Sequence, residues 1–188
     1  MNTREISKEE TYMISYLREL QEAKYIKDII YQPEPFILSH KLELPIKKKL
    51  KTKSKLIYKT LLQEHVYTTD FLVKWTGENK FHQDFSDSYI EEEFPIFFSH
   101  NNVSYIEVKS NYDMNSGTRL FTSRTQPWIY EKYDIYINLI KVPEVFARTF
   151  VPKEILSDFY YKVNTKKANK GAKKWDWHYK TLEEYLNE

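Results

Sequence analysis

Asp70 in the stretch YTTDF and the Glu107-x-Lys109 pair in SYIEVKS are residue types that can hydrolyse a phosphodiester. Side chains two apart on a strand share a face. Glu107 and Lys109 therefore project together, while Ile106 and Val108 point the other way. If the strand carrying Asp70 neighbours the strand carrying Glu107, the two carboxylates meet at one end of a sheet. Bare anions that close repel each other, and a hard divalent cation relieves the repulsion. Mg²⁺, with Mn²⁺ as a substitute, takes one or two carboxylates plus water and phosphate oxygens. It polarises the ester and lowers the pKa of an attacking water. Lys109 would orient or deprotonate that water, or neutralise charge growing on the phosphorus oxygens. Glu10 offers a further carboxylate, for a second metal or for the water. It lies three residues before Met13 and seven before Leu17, on the apolar face of a helix. Each of these residues also has a plain reading. A capping box with Ser7 accounts for Glu10, and a solvated edge strand accounts for Glu107 and Lys109.

Converging groups need elements that bring distant segments together. Residues 8–25 have helical spacing, with Ser7 as N-cap and Met13, Ile14, Leu17 and Leu20 as the apolar stripe. Pro33 and Pro35 end that region, and FIL begins a strand. KKKLKTKSK at 47–55 reads as a loop or the tips of two strands. LIYKTLLQEHVYTTDFLVKW is a long β-prone run in which Val66, Thr68, Asp70 and Leu72 share a face. Asp70 thus sits inside an apolar strand, where acids are rare unless paired or metal-bound. Residues 76–102 read as an inserted connection with an extra hairpin. Residues 110–124 read as a loop or the start of a helix, PWIYEKYD as a helix with Pro127 in its first turn, and DIYINLI as a buried strand. A short helix over 152–160, a flexible basic loop NTKKANKGAKK and a terminal helix in KTLEEYLNE complete the chain. No internal repeat is present. This order predicts an α/β domain around a mixed sheet. Residues 1–150 form its body and 151–188 a basic C-terminal extension.

Composition removes several alternatives. With 3 glycines in 188 residues, no glycine-rich phosphate loop can be built, and with no cysteine there is no disulfide, zinc ribbon or thiol nucleophile. G-x-S-x-G, H-E-x-x-H and P-loop patterns are absent. His40, His65, His82, His100 and His178 show no ligand spacing. The polar N-terminus is not a signal peptide, and no apolar run reaches the roughly 18–20 residues that span a bilayer. A cytoplasmic protein with no membrane partner is the expectation. The net charge of +2 conceals segregation. Residues 41–59 hold eight lysines against Glu43 alone, and residues 162–174 hold six lysines and no acid. Two basic blocks on an acidic body suit a polyanion such as DNA; solvated lysine loops are the plain alternative. Trp175 and Trp177 beside the second block suit stacking on nucleotides or packing of the terminal helix.

YTTDF at 67–71 and YIEVKS at 105–110 resemble the PD-(D/E)xK endonuclease superfamily, with Thr69 in place of the signature proline. The helical Glu10, the QPEPF segment at 32–36, the DF pair and the E-V-K triplet follow in the order seen in small phage-type and transposon-end endonucleases. The resemblance covers about residues 7–140. It implies a restriction-endonuclease-like α/β core, a mixed central sheet flanked by helices, with residues 76–102 inserted between the two catalytic strands. It implies a Mg²⁺-dependent DNA endonuclease of phage or mobile-element DNA processing. Glu10, Asp70, Glu107 and the Val108 carbonyl would bind metal, and Lys109 would be general base or electrostatic stabiliser. By the same analogy the helix after the last catalytic strand borders DNA. Arg119, Arg124, Gln126 and Lys132 then contact phosphates unless they serve structural ion pairs, and Lys47, Lys48, Lys49, Lys166, Lys167, Lys170, Lys173 and Lys174 hold the backbone. Such an enzyme acts on particular DNA structures, as a homodimer or with a partner protein. The alternatives are a nuclease subunit active only within a transposase or packaging complex, and a non-catalytic nucleic-acid-binding protein on a nuclease-like fold.

Overall fold

The computed structural model describes residues 6–85, 96–109, 120–156 and 179–188. Helix α1 (Lys8–Glu22) starts in the expected capping box. The Ser7 hydroxyl accepts the Glu10 N–H at 3.2 Å, and Glu10 Oε2 accepts the Ser7 N–H at 3.3 Å. Met13, Tyr16, Leu17 and Leu20 are buried, while Ile14 is only half-buried. The helix closes at Ala23, and Lys24, at φ 66°, turns the chain into strand β1 (Ile26–Tyr31).

The following strands are β2 (Phe36–Ser39), β3 (Leu42–Lys49), β4 (Ser54–Leu62), β5 (His65–Tyr67), β6 (Phe71–Trp75), β7 (His82–Asp84), β8 (Phe97–Ser99), β9 (Val103–Val108) and β10 (Ile137–Ile140). The central sheet has the order β1-β6-β9-β10. β6 runs antiparallel to both β1 and β9, and β9 runs parallel to β10. One row crosses all four strands: Tyr31 faces Phe71, Phe71 faces Ile106, and Ile106 faces Asn138. A parallel pair needs a crossover. This one contains a π-helical turn (Phe121–Thr125) that runs into α2 (Gln126–Tyr133). The α/β class with a mixed central sheet is thus present.

Apolar groups cover both faces of the sheet. Phe71, Val73, Trp75, Ile106 and Val108 join the α1 stripe and α3 (Val142–Arg148) in one cluster, in which the Tyr16 and Phe150 rings stack at 4.4 Å. Phe36, Leu38, Phe121, Ile129 and Ile137 form a second cluster, with Tyr67 and Tyr105 at its margin. The described part of the C-terminal extension packs on the first cluster. Leu182, in α4 (Leu182–Leu186), is buried there, and the Val151 N–H donates to the Lys180 carbonyl at 2.8 Å. Of the expected helix over 152–160, the structure has a 3₁₀ turn at Lys153–Ile155; residues 157–178 lie outside the described residues. Among the described residues no helix is long and apolar enough to cross a membrane.

Two local expectations need correction. The β-prone run breaks into β4, β5 and β6, so Asp70 lies in the turn ahead of β6 rather than inside a strand. Thr69, Asp70 and Phe71 are consecutively buried, so strict alternation is lost there. The second correction concerns the insertion. β7 and β8 pair in parallel, not as a hairpin. They stand where Phe81 and Phe97 can enter the main core, and Asn138 anchors them. Its carboxamide accepts the Phe98 N–H at 2.7 Å and donates to the Phe98 and Tyr105 carbonyls at 2.9 and 3.0 Å. The lysines of 47–55 lie, as expected, at the tips of two strands, here a long antiparallel hairpin, β3–β4, whose residues are almost all exposed.

Candidate active site and nucleic-acid face

The β6–β9 register decides where the chemistry falls. Phe71 opposes Ile106, so the start of β6 and the end of β9 share one end of the sheet. Asp70 precedes the first of these strands, and Glu107 and Lys109 flank the last residue of the second. The Val108 N–H donates to Asp70 Oδ2 at 2.8 Å. The Asp70 carbonyl accepts the Gln32 N–H at 2.9 Å, which fixes the turn from the β1 side. Lys109 extends the β9–β10 pairing through its N–H to the Ile140 carbonyl at 2.9 Å. Its Nζ lies 2.5 Å from Glu107 Oε1. Among the described residues Glu107 Oε2, although buried, has no hydrogen-bond partner. The Thr69 hydroxyl next to Asp70 is buried and unpartnered in the same way.

Glu10 reaches this end of the sheet from α1. Glu10 is 2 % exposed, Asp70 3 % and Glu107 6 %: three carboxylates removed from solvent in one neighbourhood. Burial and the Glu107 charge push the Asp70 carboxyl up to about 7, and Glu10 adds to this. The Val108 N–H and the Lys109 ammonium pull the other way, but less strongly overall. A carboxyl held up in this manner is a mark of functional sites, though structural networks produce it too.

The acids do not contribute alike. Glu10 Oε2 takes both the Ser7 N–H and the Tyr31 hydroxyl, the latter at 3.0 Å. Among the described residues no group of three or more His, Asp or Glu side chains stands where it could hold one ion. The expected Glu10–Asp70–Glu107 ligand set is therefore not assembled, and Asp70 with Glu107 is the pair whose chemistry suits a cation. Two buried carboxylates, one with an oxygen lacking a partner, match the one or two carboxylates that Mg²⁺ draws from a protein. What the structure records for Val108 is its amide on Asp70, not its carbonyl on a site. Tyr31 was missed in the sequence. Its place just before the QP-x-F segment was the available signal, and its ring lies 5.5 Å from that of Phe71.

The other expected contacts divide. Arg124 is exposed on the π-helical turn and shares a cavity of about 460 Å³ with Lys109. The Gln126 carboxamide oxygen is committed to the Ile137 N–H at 3.0 Å, which ties α2 to β10. The Lys132 ammonium donates to the Ile37 carbonyl at 2.7 Å. Both serve the fold in these bonds. Lys47, Lys48 and Lys49 project from β3 near the hairpin tip. The acid of this arm, Glu43, is paired with Lys41 at 2.6 Å, so the tip keeps its positive field. Arg119, Lys166, Lys167, Lys170, Lys173 and Lys174, with Trp175 and Trp177, lie outside the described residues. His82 is structural, its ring nitrogens 2.8 Å from Ser99 Oγ and from the Gly77 carbonyl and its plane stacked on Trp75.

No family of known proteins, no curated protein and no solved structure matches this chain.

Proposed function

We propose that this chain is a divalent-metal-dependent DNA endonuclease on a restriction-endonuclease-like core of the PD-(D/E)xK type. One observation carries the reading: the N–H of Val108, the strand residue between Glu107 and Lys109, donates to Asp70 at the shared end of two neighbouring strands. Asp70 and Glu107 would hold the Mg²⁺, which when bound polarises a phosphodiester oxygen and lowers the pKa of water. Lys109, held against Glu107, orients the attacking water and neutralises charge growing on the non-bridging oxygens. Glu10 locks α1 and Tyr31 to this end of the sheet and adds negative potential. Specificity then rests on DNA structure or on a partner protein, because lysines on phosphates carry no sequence information.

The test is purified protein with Mg²⁺ or Mn²⁺ on linear, nicked, branched and single-stranded DNA. Metal-dependent cleavage of any of these is expected. Complete inactivity on all four, with no carboxylate-dependent metal binding, leaves the second reading, a non-catalytic nucleic-acid-binding protein. The absence of a three-acid ligand group among the described residues favours that reading. Both readings use the β3–β4 arm. Replacing Lys47, Lys48 and Lys49 with alanine is expected to weaken DNA binding alike on all sequences. The slope of log affinity against log salt should become shallower by about 2–3. An unchanged slope would show that the arm does not touch phosphates.

A further inference from the structure

The cavity beside Lys109 is lined mostly by apolar and aromatic side chains. At about 460 Å³ it lies within the roughly 300–1,000 Å³ of small-molecule sites. Its walls include Tyr67, Leu120, Phe121 and Trp128, and among the described residues its cationic groups are Lys109 and Arg124. The Tyr67 and Phe121 rings stand 5.5 Å apart at 44°. Trp128 is 47 % exposed and Leu120 56 %, so large apolar surface faces water at the mouth.

We infer that this cavity receives an unstacked nucleobase of the substrate, and hence that the preferred DNA carries an unpaired nucleotide beside the cleaved bond. The inference rests on the nuclease reading and names its substrate class. A paired duplex running past Lys109 turns sugars and phosphates toward the protein, and neither fills an aromatic hole. An unpaired base has two apolar faces that stack on Trp, Tyr or Phe whatever its sequence. Its flanking phosphates carry the charge that Lys109 and Arg124 complement. Lys109 belongs to both the acid site and the cavity wall, so a base in the cavity sets the adjoining phosphodiester against Asp70 and Glu107. A single-stranded tail, a gap and a branch all supply such a nucleotide.

The experiment compares a duplex bearing a short tail of ordinary nucleotides with the same duplex bearing an abasic tail. Backbone charge is then equal and only the bases differ. Binding is read by fluorescence anisotropy in EDTA, where no cleavage occurs. The wild type should bind the base-bearing tail about tenfold more tightly than the abasic one. Trp128→Ala, at an exposed residue, should bring that ratio close to one, and Trp128→Phe should restore most of it. Equal binding of both tails by the wild type overturns the inference, as does an undiminished ratio in Trp128→Ala. Gapped and branched duplexes, with and without abasic residues, then identify which source of unpaired nucleotide is used. Cleavage with Mn²⁺ separates the two levels. Cleavage without discrimination removes the base pocket and keeps the nuclease. Discrimination without cleavage under any divalent cation keeps the pocket and removes the nuclease.

Discussion

Lys109→Ala should lower the rate of metal-dependent DNA cleavage by about 10²–10⁴-fold while DNA affinity changes only by a few-fold. A large rate effect is expected because, on the proposed mechanism, the amine would sit where charge changes during the reaction. It lies 2.5 Å from a buried carboxylate at the sheet end, 21 % exposed, so water screens it little. The binding effect is expected to be small because Lys109 is one cation among many, and on the proposed reading the arm lysines would supply most of the phosphate contacts. Single-turnover rates beside anisotropy titrations separate the two. Cleavage at the parental rate by Lys109→Ala would remove Lys109 from the chemistry. A parallel loss of binding and rate would make it a phosphate clamp. Arginine at this residue keeps the charge but exchanges a compact ammonium for a planar fork, and it should recover little of the rate.

Asp70→Asn should abolish cleavage and, at pH 8, make the protein more stable. The Asp70 carboxyl is pushed up to about 7 by burial and by Glu107, against an ordinary value near 4. Between those values the folded chain keeps a proton that the unfolded chain has released, so stability falls as pH rises through that window. Below pH 4 both states are protonated and nothing is lost. Above pH 7 the folded state carries the whole cost of a buried anion. Asparagine avoids that cost, and its carboxamide oxygen still accepts the Val108 N–H. A gain of about 2–4 kcal/mol at pH 8 is expected, an increase in Tm of several degrees for a chain of this size, shrinking toward zero near pH 4. Mg²⁺ should raise the Tm of the wild type and not of the variant, because only the wild type gains a ligand in its folded state. Calorimetry at pH 4 and pH 8 checks both points. A variant less stable than wild type at pH 8 would show that the Asp70 charge is already compensated in the fold.

On these two expectations, stability and the proposed chemistry pull in opposite directions at this end of the sheet. Among the described residues Glu107 has a buried oxygen without a partner, and the Thr69 hydroxyl, adjacent in sequence to Asp70, is in the same condition. Orphaned buried polar atoms are uncommon in folded proteins and each costs about 1–3 kcal/mol.

What the sequence determined by itself was local. Ser7 and Glu10 announced the start of α1, because a capping box is closed by bonds that span three residues. Met13, Leu17 and Leu20 announced its buried stripe through the helical repeat, and Phe36, Val103–Val108 and Ile137–Ile140 announced strands through β-prone runs. The shared face of Glu107 and Lys109 followed from the strand repeat of two. Tertiary structure decided the rest. Asp70 meets the Val108 amide only because β6 pairs with β9 across the inserted segment, a choice made by hydrogen-bond register and by both faces of the sheet finding apolar cover. The same packing gave Glu10 to Ser7 and Tyr31, Gln126 to Ile137 and Lys132 to Ile37, and left the aromatic cavity beside Lys109. Backbone propensity and periodicity reach about one turn of helix or a few residues of strand. The convergence of groups dozens of residues apart is set by non-local pairing and close packing, which no short stretch of chain encodes.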